Sequence, residues 1–237
     1  MTSAVHWTTK ACATARLGMG RTAIATVLEG AVKVIASIAR QHQGIGTLGA
    51  AVRNWVRFDT LFFLPTAMQI WYAGTEAKFN GINSVAYGLD GVRDLAQWTL
   101  RHAQVPFKGN HIENGFNLVE RLACAGLLVS NVFGIDKDIT VLNRAEIPDR
   151  YRECSDAYKK SMRLQIAMKG CVVADASLRL IAKDFRWYST ADTCIRVAAA
   201  VCLLLYLWID PTSPAHTGAV FSTDGPGGGS GKGTKKV

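Results

Sequence analysis

The sequence predicts an all-α protein, and three observations carry that prediction. Apolar residues recur at spacings of three and four, while β-branched alternation is rare. Before residue 211 proline occurs only at Pro65, Pro106 and Pro148, so long helices meet few breaks. Glycine clusters, as at 44–49, fall between apolar stripes.

The elements follow in order. A first helix is expected from about Ala11 to Arg40, with Ile24, Val27, Leu28, Ala31, Ile35 and Ile38 on one stripe. The run GIGTLG ends it. A second helix is expected from Thr47 toward Thr75, bent at Pro65, and a third from Ile82 to Ala103, closed by Pro106 and Gly109. A fourth covers Ile112 to Phe133. The polar run DKDITVLNRAEIPD, with Pro148, reads as a loop. A long fifth helix is expected over Asp149–Lys183 and a last over Ser189–Ile209. The chain thus divides into a helical unit, residues 1–210, and a Gly/Ser/Lys-rich tail, 211–237, whose composition cannot bury enough apolar surface to offset its entropy. Within that tail GPGGGSGKGT imitates a phosphate loop. Pro226 stands where a glycine is required, no strand precedes it, and only KKV follows Thr234.

Composition narrows the class. Hydrophobic residues make up 49% of the 237, mean hydropathy is +0.12 and the formal net charge is +9. That is apolar for a soluble protein and polar for a polytopic transporter. A basic, apolar chain suits an anionic lipid surface. Familiar aromatic and basic nucleic-acid motifs are absent, so no nucleic-acid partner is expected. The six cysteines form no CxxC pair and read as small core residues in a reducing compartment. No two of the five histidines sit at i, i+4, DKD at 136–138 lacks the rest of a calcium loop, and no nucleophile motif surrounds a serine. The expectation is therefore a non-enzymatic protein with no catalytic residues, metal or cofactor.

A span of ~30 Å of hydrocarbon needs ~20 apolar residues. The strongest candidate is Thr193–Ile209, 17 residues with Arg196 reaching back to the headgroups. Ile195, Val201, Leu204, Leu205 and Trp208 are its expected membrane anchor, with Trp208 and Tyr206 at an interfacial belt. The stretches 122–135 and 60–75 are shorter or interrupted. The remaining helices suit the interface or a bundle against the membrane. In GAAVRNWVRFDTLFF, residues 49–63, Arg53 and Arg57 lie one turn apart, with Trp55, Val56 and Phe58 beside them. These five are the candidate membrane-binding residues, since arginine and tryptophan next to an aliphatic face match the headgroup boundary. An ordinary surface helix would show the same pattern. The fifth helix repeats it: Lys159, Lys160, Arg163, Lys169, Arg179, Lys183 and Arg186 against Asp175 and Asp184, beside a stripe of Leu164, Ala167, Met168, Cys171, Leu178, Ile181 and Phe185.

In arrangement the chain resembles the peroxisomal biogenesis factor 11 family over about residues 15–209. Gly20-Arg21 opens an apolar helix, although Thr22 and Ala23 replace the family's Asp-Lys. Arg53-Asn-Trp-Val-Arg57-Phe58 is similar to its amphipathic segment, and Asp94-Leu-Ala-Gln-Trp98 to its acidic-x-x-x-Trp helix end. A basic helix, a break and the hydrophobic segment 193–209 complete the order. The Gly-rich tail and the Ala/Leu-rich last segment depart from the family. The resemblance implies a peroxisomal or glycosomal membrane protein with cytosolic termini. It implies elongation and multiplication of the organelle, by insertion of the helix around Arg53–Phe58 into the anionic cytosolic leaflet. Homo-oligomers and the organelle-fission machinery are the implied partners. The alternatives are a soluble bundle with a buried last helix, an enzyme whose site the sequence does not reveal, a bacterial effector in a host membrane, or a mitochondrial membrane subunit whose first 28 residues lack acidic side chains.

Overall fold

The computed structural model describes residues 2–16, 18–38, 47–52, 78–107, 109, 111–144, 147–181 and 188–210. They are helical, with no strand among them: α1 (Thr2–Arg16), α2 (Gly18–Ile38), α3 (47–52), α4 (Lys78–His102), α5 (His111–Arg144), a 3₁₀ turn (Asp149–Cys154), α6 (Ser155–Ile181) and α7 (Tyr188–Ile209).

Three boundaries differ from the sequence reading. The first helix is two, and the chain is helical from Thr2 rather than Ala11. The fourth helix does not stop at Phe133. It continues through DKDITVLNR to Arg144, because no glycine or proline interrupts that run and Asp138 is neutralised by Lys169 of α6. The segment after Pro148 begins as a 3₁₀ turn, and α6 starts only at Ser155. The α4–α5 connection is set by backbone geometry. Gln104 and Gly109 adopt positive φ (57° and 76°), and the Gly109 amide donates to the Glu113 carboxylate in the first turn of α5. Phe107 closes that corner edge-on against Phe116, 5.7 Å between ring centroids.

Among the described residues the helices stand in a row, α2–α7–α6–α5–α4, each touching its neighbours. All adjacent pairs run antiparallel. Asn83 meets Ser130 while Arg93 meets Glu120, Asp138 meets Lys169 while Glu120 meets Arg179, and Gly30 meets Val197 while Lys33 meets Thr193. The row is curled, so that Arg179 of α6 reaches Asp90 of α4 past α5. Close approach depends on small residues. A Cβ on Gly30 would lie 2.3 Å from Val197, and one on Gly126 would lie 3.0 Å from Ala86. α1 folds back on the far end of α7. There the Trp208 indole donates to Thr14 Oγ1 at 2.8 Å and Trp7 packs on the same ring.

The core is thin. Ala86, Cys124, Leu127 and Ala176 form its centre, flanked by Leu128 and Val172. Of the stripe expected on the first helix, Ala31, Leu28 and Ile35 are exposed and Ile24 and Val27 half-buried. α2 buries Gly20, Ala23, Ala25 and Gly30, while Leu28, Val34 and Ile35 are exposed. On α6 the buried residues are Ser161, Met162, Ala176 and Arg179, and Ile181 of the expected stripe is 80% exposed.

Candidate functional site

α5 shows the organising feature most plainly. The side turned to its neighbours carries Glu120, Cys124, Leu127, Asn131 and Asp138. The opposite side carries Leu118, Leu122, Val129, Val132 and Phe133, each between 41% and 59% exposed. Both sets step by three and four, about half a turn apart. On α4 the exposed Ile82, Val85, Leu89 and Val92 each directly precede an inward residue, Asn83, Ala86, Asp90 and Arg93, so the two faces lie about 100° apart, and Ile82 also borders Gly126 of α5. On α7, Ala198, Val201 and Leu205 are exposed. The polarity is inverted relative to a water-soluble domain: large apolar side chains outside, polar and small ones inside.

The interior polar groups are matched across helices. Asn83 Oδ1 accepts from Ser130 Oγ (3.0 Å) and Asn131 Nδ2 (2.9 Å). One level along the row, Arg179 is 2% exposed and grips Asp90 with both terminal nitrogens (3.0 and 2.6 Å), Nη2 also lying 3.2 Å from Glu120. Arg93 adds Asp94 at 2.6 Å, Glu120 at 2.8 Å and Asp90 at 3.4 Å. Arg196 of α7 joins from the other side, 3.0 Å from Asp192 and 3.6 Å from Asp175. Glu29 and Lys33 of α2 continue the level, with Lys33 donating to Thr193. Charged side chains from α4, α5, α6 and α7 thus meet in one plane across the row, with the Glu29–Lys33 pair of α2 flanking it.

This plane sets the protonation states, and its members lie outside the uncharged stretches of the helices. Burial alone would raise the Asp90 carboxyl, but the hydrogen bonds and charge of Arg179 outweigh it and hold Asp90 below the usual range. Asp175 moves the other way, pushed up to about 7. Burial dominates, the nearby Asp192 carboxylate adds to it, and Arg196 opposes it. Asp90, Asp94, Glu120, Asp175 and Asp192 face Arg93, Arg179 and Arg196, so the acidic side is in excess and a proton on Asp175 relieves the imbalance.

The structure places the expected anchor residues as follows. Val201 (40%) and Leu205 (45%) are exposed on α7, and Ile195 and Leu204 are half-buried. Trp208 is not free for an interfacial belt, being bonded to Thr14 and packed on Trp7. Arg196 does not reach back alone, because Asp192 lies one turn behind it and Asp175 beside it. Arg179, read as part of a basic surface, is among the most deeply buried cations. Arg53, Trp55, Val56, Arg57 and Phe58 lie outside the described residues. The ionic plane was missed because its members come from four separate helices. Its one visible signal was the acidic residues at helix levels otherwise apolar: Asp90, Glu120 and Asp175.

α5 and α7 are long and apolar enough to cross a membrane by length and composition, with 33% and 11% of their most apolar windows buried. Comparison with models of known protein families, with curated proteins and with solved structures finds no match to this chain.

Proposed function

We propose that this chain is a non-enzymatic membrane protein that embeds its exposed apolar faces in lipid and bends the membrane as it self-associates. The observation that supports this most is the inverted polarity of α4, α5 and α7. Lipid covers Leu122, Val129, Ile82, Val85 and Val201 without cost, whereas water does not. The cross-helix pairing of buried polar groups on α4, α5 and α6 agrees with that setting, where an unpaired group is expensive. The net charge of +9 favours an anionic leaflet. The resemblance to the peroxisomal biogenesis factor 11 family supplies the finer reading: elongation of peroxisomal or glycosomal membranes, with the segment Arg53–Phe58 as the wedge, homo-oligomers as the working form and the fission machinery downstream.

The test is reconstitution of the full chain into anionic vesicles, imaged by electron microscopy. Tubules are expected from the wild type and spherical vesicles from Arg53→Glu with Arg57→Glu. Spherical vesicles with both proteins, at equal incorporation, would reject membrane bending and leave an embedded protein of other purpose.

A further inference from the structure

On α4, α5 and α7 the charges flank one long uncharged stretch, whereas α2 and α6 carry charges along their length. Glu120 and Arg121 close one end of an uncharged stretch on α5, and Asp136 opens the other after 14 residues. On α7 the stretch from Arg196 to Asp210 holds 13 uncharged residues, and on α4 that from Lys78 to Asp90 holds 11. At 1.5 Å per residue these are about 17–21 Å long. The cross-helix contacts put their ends at common levels. Asp90, Glu120, Arg179 and Arg196 share the ionic plane. At the other level Asp138 meets Lys169. Lys169 starts inside the band, but its ammonium leaves by reaching toward the N-terminal end of α6, to Asp138 and the Gly134 carbonyl. Ile82, Val85, Leu122, Val129, Val132 and Val201, all exposed, lie between the two levels.

Resting on the membrane reading above, we infer that the row is a plate matched to a thin bilayer, and that it thins thicker ones around itself. Its apolar band is about 20 Å deep against the ~30 Å of an ordinary hydrocarbon core. The ionic plane resists being drawn inward, because eight side chains from four helices would have to leave the interface together. Neighbouring lipid must shorten instead, at a modest cost for each ångström of mismatch. Copies that share one thinned annulus deform less lipid than separate copies. The mismatch therefore drives their association and concentrates strain where the membrane is to narrow.

The full chain is reconstituted with monounsaturated phosphatidylcholines of increasing chain length, spanning hydrocarbon cores of about 20 to 35 Å. Each vesicle set carries the same share of phosphatidylserine. The readouts are the co-floating fraction and the bilayer thickness from low-angle X-ray scattering. The expected result is incorporation that falls roughly ten-fold or more from the thinnest to the thickest lipid, with measurable thinning of the thick bilayers that still accept protein. Equal incorporation at every thickness without thinning overturns the plate and leaves the membrane reading standing. Failure to float with any lipid overturns both.

Discussion

Replacing Arg179 by methionine asks how much the ionic plane holds the row together. The guanidinium is 2% exposed and is shared by Asp90 and Glu120, themselves 20% and 12% exposed. Methionine fills similar volume, so the change is mainly electrostatic. It leaves two nearly buried carboxylates facing one another, with Arg93 still 3.4 Å from Asp90 and 2.8 Å from Glu120. Removing one partner of a buried ion pair costs about 3–5 kcal/mol. The remaining Arg93 places this case near the lower end. For a chain of this size that is a fall in Tm on the order of 10 °C. The assay is thermal unfolding of purified protein in mild detergent, followed by circular dichroism. Arg179→Lys should recover only part, since an ammonium cannot fork to both oxygens of Asp90. Arg179→Met combined with Asp90→Asn and Glu120→Gln should recover most, because no buried charge is then left unmatched. A single-variant loss below about 1 kcal/mol, or a triple variant no better than the single, would refute the reasoning.

Other consequences follow from the same geometry. Because the folded Asp175 carboxyl sits at about 7 and an unfolded one near 3.9, the folded protein holds the extra proton between those values. Stability conferred by that proton is complete below about pH 4 and lost as pH rises through 7, on the order of 2–3 kcal/mol between pH 5 and 7. Asp175→Asn should flatten that slope in a denaturation series against pH. Asp90 has the opposite sign: its contribution is present above about pH 4 and fades on further acidification, which Asp90→Asn should remove. Gly30→Leu would drive a side chain into Val197, and separation of α2 from α7 should cost about 1–3 kcal/mol and raise proteolysis of the N-terminal 38 residues. Trp208→Phe deletes the bond to Thr14 and should loosen α1, read as faster amide exchange in Thr2–Arg16 with α5 unchanged.

The helical class and the positions of α4, α6 and α7 were legible because periodicity, Pro106 and Pro148 act locally. The extension of α5 to Arg144 was not. DKDITVLNR looks like a loop to any rule that scores polarity, yet it has no glycine or proline and its Asp138 is paired with Lys169, thirty-one residues further on. The face buried by α2 was misjudged for a related reason. A stripe of Ile, Val and Leu normally points to a protein core, but α2 approaches α7 through Gly30, and Leu28, Val34 and Ile35 are left outside. Inverted polarity cannot be read from a helix alone, since a stripe shows which residues share a face and not which face meets protein. The same limit hid Arg179. Its partners Asp90 and Glu120 are 89 and 59 residues away in sequence.

The central claim is that lipid covers the outward faces of α4, α5 and α7. Flotation of the full chain with anionic liposomes, compared with Leu122→Glu combined with Val129→Glu, tests it most directly. Both residues are exposed on α5 and neither touches the ionic plane, so the helices should form in the variant as in the wild type. The account predicts wild-type protein in the floating fraction and the variant left behind with unchanged helicity. A wild-type chain that stays monomeric in water without lipid or detergent, or a variant that floats equally well, would contradict it.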